Sequence, residues 1–151
     1  MKLSAANALG NWRRREGECL DGLCRIGVWN VRGLNDECKR LNVVQIMNDR
    51  GYDVLALSET KLKGKGEIDW EGVKGIKSGI VGRERAREGV LVLLSERFWK
   101  NVREYKEVNS RIVWVRVMVN GYKWVIVVAY APCGSNANEK KEFWMEMDEV
   151  R

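Results

Sequence analysis

Apolar residues recur along this chain in two rhythms, and each rhythm predicts a different kind of element. Cys24 to Val31, reading Cys-Arg-Ile-Gly-Val-Trp-Asn-Val, is short and rich in strand-forming residues, which predicts a first strand. The polar loop Arg32-Gly33-Leu34-Asn35-Asp36 follows it. Over 37–50 the period changes: Leu41, Val44 and Met47 recur three apart and Gly51 supplies a stop, predicting a helix. Asp53 to Ser58 is a second strand, apolar on both faces, so the chain opens with a strand, a helix and a strand. A Lys/Gly loop is then expected over 60–67, a weaker strand near Val73–Ile76, and a basic loop over 82–88 carrying Arg83, Arg85 and Arg87. Val90 to Leu94 is a strand of five apolar residues, with a short helical turn around Phe98 and Trp99 behind it.

The sharpest local signal lies at 111–130. Ile112 to Val119 and Tyr122 to Ala129 are two β-rich runs joined by Asn120-Gly121, a pair that tolerates the positive φ of a type I′ hairpin turn. Alternation puts Val113, Val115, Val117 and Val119 on one face, and Ile112, Trp114 and Met118 on the other with Arg116. Apolar residues on both faces imply cover on both sides. Asn138 to Arg151 reads as a closing helix, with Phe143, Met147 and Val150 at spacings of four and three.

Composition narrows the classes. A length of 151 residues fits one domain, and 45% hydrophobic residues with seven Trp are enough to build a core. Residues 1–23 carry Arg13-Arg14-Arg15 but no apolar period, and are expected to form a flexible basic leader. The leader has no continuous apolar stretch of the secretory kind, and no run approaches the length of about 20 residues that spans a bilayer, so no membrane partner is expected. The net charge of +6 favours a polyanionic partner such as nucleic acid, though an ordinary basic surface accounts for it as well. The four cysteines form no Cys-x-x-Cys pair, which favours reduced thiols and an intracellular site, nuclear or cytoplasmic.

The absence of histidine decides most about chemistry. It removes the commonest general base, the commonest zinc ligand and the usual triad partner together. Any hydrolysis must use carboxylates, a metal or a phenol. Three polar residues stand at or just beyond the ends of apolar strands: Asn30, Glu59 and Tyr130. Strands lying side by side and pointing the same way would bring them to one rim. A carboxylate beside an amide oxygen suits a hard cation, since magnesium takes one or two protein carboxylates and keeps water and phosphate ligands. Each residue also has a plain structural reading, as a solvated loop acid, a turn residue and a packing residue.

The stretches Val28-Trp29-Asn30-Val31-Arg32-Gly33-Leu34, Leu57-Ser58-Glu59-Thr60-Lys61 and Ala129-Tyr130-Ala131-Pro132 stand in order at suitable spacing. Together they resemble the first three motif blocks of the endonuclease/exonuclease/phosphatase superfamily, with closest likeness to the craniofacial development protein 2-like branch and non-LTR retrotransposon endonucleases. Arg87-Glu88-Gly89-Val90, Phe98-Trp99-Lys100-Asn101-Val102 and Asn109-Ser110-Arg111-Ile112 resemble the same branch. The likeness covers roughly residues 24–150.

The resemblance implies an α+β fold, the N-terminal half of a four-layer α/β/β/α sandwich, mainly one mixed sheet with flanking helices over 24–151. It implies Glu59 as the metal-binding carboxylate with Asn30 beside it, Tyr130 and Asn30 in catalysis, and Arg32 and Lys61 against a phosphodiester backbone. The cofactor implied is Mg²⁺ or Mn²⁺, held weakly. Two further blocks of the superfamily, Gly-Asp-x-Asn and Ser-Asp-His, do not occur here. The expectation is therefore a truncated DNA endonuclease-like domain that is inactive by itself, with its inner sheet face at Val113, Val115, Val117, Trp124 and Ile126 in want of a completing polypeptide or a second copy. The alternatives are a non-catalytic nucleic-acid-binding or protein-interaction remnant of a retrotransposon endonuclease, and a small-molecule or lipid phosphoesterase.

Overall fold

The fold is described from a computed structural model over residues 24–150. The expected leader at 1–23 lies outside the described residues. The elements in chain order are β1 (Ile26–Asn30), α1 (Glu37–Arg50), β2 (Val54–Ser58), β3 (Lys65–Trp70), β4 (Val73–Ser78), β5 (Val90–Leu94), α2 (Glu96–Trp99), β6 (Val102–Asn109), β7 (Ile112–Val119), β8 (Tyr122–Ala129) and α3 (Ala137–Glu149).

Helix α1 occupies the span its period predicts. Asp36 caps it by accepting from the Cys38 amide at 2.8 Å, and Gly51 ends it in the left-handed conformation at φ 62°. The β7–β8 hairpin turns on Asn120 and Gly121, both at positive φ, which is the type I′ geometry read from the pair.

Two sheets form. The first has the order β1-β2-β5-β4-β3, with β1 and β2 parallel and the remaining pairs antiparallel. The second is the antiparallel meander β6-β7-β8. Helix α1 covers one face of the first sheet, where Val43, Val44 and Met47 pack with Leu55, Leu57, Leu91 and Leu93. On the other face Val54, Ile76, Val90, Val92 and Leu94 pack against Val113, Val115, Val117 and Val128 of the second sheet. The result is an α+β sandwich, as the resemblance implies, built from two sheets rather than mainly one.

Two details depart from expectation. The chain supplies a second sheet of its own, so Val113, Val115 and Val117 are fully buried against β5 rather than left bare. The uncovered apolar surface lies elsewhere. Ile26 and Val28 of β1, 48% and 75% exposed, extend beyond the shelter of β8, and Val125 and Val127 stand on the outward face of β8. The Lys/Gly loop expected over 60–67 ends early in strand β3, and β6 forms where the sequence pattern predicts no element. Both are edge strands, and edge strands carry charged residues that disguise their alternation.

Candidate functional site

The parallel pairing of β1 with β2 sets Asn30 against Ser58 and delivers both strand ends to the same edge. The loops beyond continue the pairing: Gly33 N–H donates to Glu59 O at 2.7 Å and Leu34 N–H to Thr60 O at 2.8 Å. A third loop is stitched on from the other side, with Thr60 N–H donating to Gly89 O at 3.1 Å and Lys61 N–H to Glu88 O at 2.9 Å. Arg32, Glu59 and Lys61 all adopt left-handed backbone at φ 53°, 52° and 55°. Non-glycine residues hold such conformations only where surrounding bonds over-determine them, at a cost of about 1–3 kcal/mol each. Gly89 is required: its φ is 119°, and a Cβ there would overlap the Thr60 hydroxyl.

Tyr130 reaches this edge by a different route from the one expected. Strand β8 belongs to the second sheet, so the three site residues do not come from neighbouring strands. They meet across the sandwich. The Tyr130 hydroxyl donates to Glu59 Oε1 at 2.5 Å, and the Asn30 side chain hydrogen-bonds the same carboxylate. These bonds, Tyr130 first and then Asn30, hold the Glu59 carboxyl below its ordinary value, with smaller help from the charges of Arg32 and Lys61 against the opposing effect of burial. The same bond pushes the Tyr130 phenol up to about 12, aided by burial and the Glu59 charge and opposed by Arg111.

The residue types fit a hard divalent cation. Asn30 Oδ1 is buried and accepts no hydrogen bond, which leaves an amide oxygen beside the Glu59 carboxylate. One carboxylate plus one neutral oxygen is a sparse but sufficient set for Mg²⁺ or Mn²⁺ that retains water and phosphate ligands. Among the described residues no group of three or more His, Cys, Asp or Glu gathers.

Around this centre a cleft is lined by Glu59, Lys61, Arg85, Ala86, Arg87 and Tyr130. All five residues singled out from the sequence thus fall at one edge: Asn30, Glu59 and Tyr130 in contact, Lys61 in the cleft wall, and Arg32 close enough for its charge to act on Glu59. Arg85 and Arg87 join them; the basic run was legible, but nothing in it showed which side of the molecule it would face. Lys65 does not join. Its ammonium bonds Glu107 O and Val108 O at 3.1 and 3.4 Å, so it secures the sheets instead. Arg111 and Glu88 also escaped notice as site residues, although both lie in stretches that carry the resemblance.

Comparison with known proteins gives the family and the fold. Residues 27–151 match the Endonuclease/Exonuclease/phosphatase family. Craniofacial development protein 2 of Bos taurus is 30% identical over 115 residues, covering 76% of this chain and 19% of the relative. Its counterpart from Tragulus javanicus is 28% identical over the same length. The chain thus spans about a fifth of the length of these curated relatives. Among solved structures, a 3′ phosphatase from Neisseria, bound to product DNA hairpin, superposes with a TM-score of 0.55 at 18% identity, over 85% of this chain and 51% of that one. At that identity the likeness is one of fold. With the matched region running through every element of the sandwich and all three strand-end motifs, this chain belongs to the Endonuclease/Exonuclease/phosphatase family.

Proposed function

We propose that this chain carries the metal- and phosphate-binding part of a DNA phosphodiesterase site. The observation that supports it most is the meeting of Asn30, Glu59 and Tyr130 across two sheets, at the foot of a cleft walled by Lys61, Arg85 and Arg87. Glu59 and Asn30 are the residues that hold Mg²⁺ or Mn²⁺. A divalent ion at such a site stabilises charge on the phosphate oxygens. Tyr130 stays protonated at neutral pH, so its hydroxyl keeps a proton that it can turn from Glu59 to a phosphate oxygen. Arg32, Lys61, Arg85 and Arg87 supply the positive field that a phosphodiester backbone requires. The DNA-bound state of the Neisseria phosphatase is consistent with DNA as the substrate class.

Cleavage by this chain alone is negligible in this reading. Activating water near neutral pH needs a group poised to take a proton. Histidine does not occur in the sequence, the Glu59 carboxyl is held low, and the Tyr130 phenol is protonated throughout. The cleft binds and orients; among the described residues that line it, none is a base poised near neutral pH. The exposed Ile26 and Val28, next to the open edge of β8, favour a companion reading. In it the second sheet is extended past β8 by a completing polypeptide that covers these residues.

The test is duplex DNA binding with and without Mg²⁺, together with nicking of supercoiled plasmid. Expected are binding that Mg²⁺ strengthens in the wild type but not in Glu59→Gln, and nicking no faster than the metal-free control. Mg²⁺-dependent nicking that persists in Glu59→Ala, or a Mg²⁺ effect on affinity that survives Glu59→Gln, contradicts the reading.

A further inference from the structure

Tyr130 follows a strand of one sheet and must meet a carboxylate that follows a strand of the other. Something has to fix the two sheets relative to each other at this edge. We infer that Arg111 is the positioning residue that does so, holding the Tyr130 ring in reach of Glu59 without touching phosphate or metal itself.

Arg111 precedes β7, and its guanidinium sits where three segments converge. Nη1 donates to Tyr130 O at 3.2 Å, and Cζ lies over the Tyr130 ring at 5.3 Å from its centroid. Nη2 pairs with Glu88 Oε2 at 2.7 Å and with Glu139 Oε1 of α3 at 2.9 Å. The backbone joins in, with Tyr130 N–H donating to Arg111 O at 2.9 Å and Arg111 N–H to Asn109 Oδ1 at 2.7 Å. Glu88 is itself fixed twice, by the Ser110 hydroxyl and by its own carbonyl, which accepts from Lys61 N–H.

These contacts close a circuit: Glu59 to Tyr130, Tyr130 to Arg111, Arg111 to Glu88, and Glu88 through the backbone to Lys61, two residues from Glu59. One leg of it, the Arg111–Glu88 ion pair, ties the 82–89 loop to the residue that precedes β7. A guanidinium suits the place because its planar fork addresses a carbonyl with one nitrogen and two carboxylates with another, while its face stacks on a ring. An ammonium presents one point charge and cannot do these at once. The side chain is 19% exposed, with its charge balanced by two carboxylates, so little of it is turned outward to a ligand.

The inference rests on the proposed function for its consequence, and its test is arranged in two arms so that the two fail separately. The first arm reads the ring and needs no DNA. With 3-fluorotyrosine incorporated and Tyr130 assigned through Tyr130→Phe, the Tyr130 resonance shifts on Glu59→Gln in the wild-type background. In Arg111→Gln it no longer responds to Glu59→Gln, while dispersed amide signals show that the fold persists. Arg111→Lys restores the response only in part. Should Arg111→Gln not fold, Glu88→Gln keeps the arginine but cuts its tie to the first sheet, and the response shrinks. An undiminished response in a folded Arg111→Gln or Glu88→Gln overturns the inference. The second arm is a double-mutant cycle on Mg²⁺-dependent DNA affinity. Arg111→Gln added to Tyr130→Phe brings no further loss if the arginine acts through the tyrosine. Losses that multiply would make Arg111 a direct phosphate contact and defeat the positioning role. If Tyr130→Phe alone leaves affinity unchanged, the functional role of Tyr130 fails, and the ring measurement still decides Arg111.

Discussion

Tyr130 and Glu59 are 71 positions apart, stand beyond strands of different sheets, and are joined by a hydroxyl-to-carboxylate hydrogen bond of 2.5 Å. That one bond ties the candidate site to the way the two sheets pack, and it explains why the electrostatics of both groups move together. It also makes the site sensitive to pH from both sides.

Glu59 has a folded-state value below its ordinary 4.5, so its stabilising contribution is whole above 4.5 and is lost as pH falls through the lower folded value. Tyr130 has a folded-state value raised from 10.0 to about 12, so its contribution is whole below 10.0 and is lost as pH rises from there towards 12. Tyr130→Phe is expected to cost about 1 kcal/mol at neutral pH, below the usual range for a bond to a charged group because the pair is partly open to water. The gap between variant and wild type should narrow both above 10.0 and below 4.5 in denaturant titrations. A gap that keeps the same size from acid to alkali would show that the bond does not form in solution.

Backbone contacts with DNA make affinity fall steeply with salt, because counterions are released. Lys61, Arg85 and Arg87 line the cleft, so each removal should flatten the slope of log affinity against log salt by about 1. Arg85→Ala with Arg87→Ala is expected to flatten it by about 2, whereas Lys65→Ala, whose ammonium is bound to carbonyls, should leave it unchanged. Equal slopes in all three proteins would move DNA to another surface.

Much of this was readable in advance, and the reasons are local. Helix α1 announces itself through spacing and caps, and the β7–β8 hairpin through Asn120-Gly121, because both depend on nearby residues. The edge strands β3 and β6 were hidden because pairing with a neighbour, not their own pattern, makes them strands. The site residues Asn30, Glu59 and Tyr130 were visible as polar ends of apolar runs. That Tyr130 arrives from the opposite sheet was not, since sheet membership is set by packing between distant segments. Arg111 was harder still. Its meaning lies wholly in three partners drawn from separate parts of the chain.

Gly89 offers a test of how tightly the rim is built. Gly89→Ala places a methyl against the Thr60 hydroxyl at a φ of 119°, where side chains are rarely found, and is expected to cost about 2 kcal/mol or more. Gly72→Ala, at φ 86° with open space around it, should cost only about 1 kcal/mol. Melting temperatures in which the two variants fall equally would mean that the Thr60 contact carries no weight.

Exposed apolar residues on β1 predict self-association at raised concentration. Val28→Lys should lower the association measured by sedimentation without lowering the melting temperature, because Val28 is 75% exposed and contributes little to the core. Association unchanged by this substitution would shift attention to Val125 and Val127 on β8.

The most direct measurement concerns the cation. Mn²⁺ binding, followed by the loss of the free-ion electron paramagnetic resonance signal, should show one weak saturable site in the wild-type chain, abolished by Glu59→Gln and weakened by Asn30→Ala. Binding that is identical in all three proteins would contradict the claim that these two side chains, brought to one edge by parallel strands, form the ion's seat.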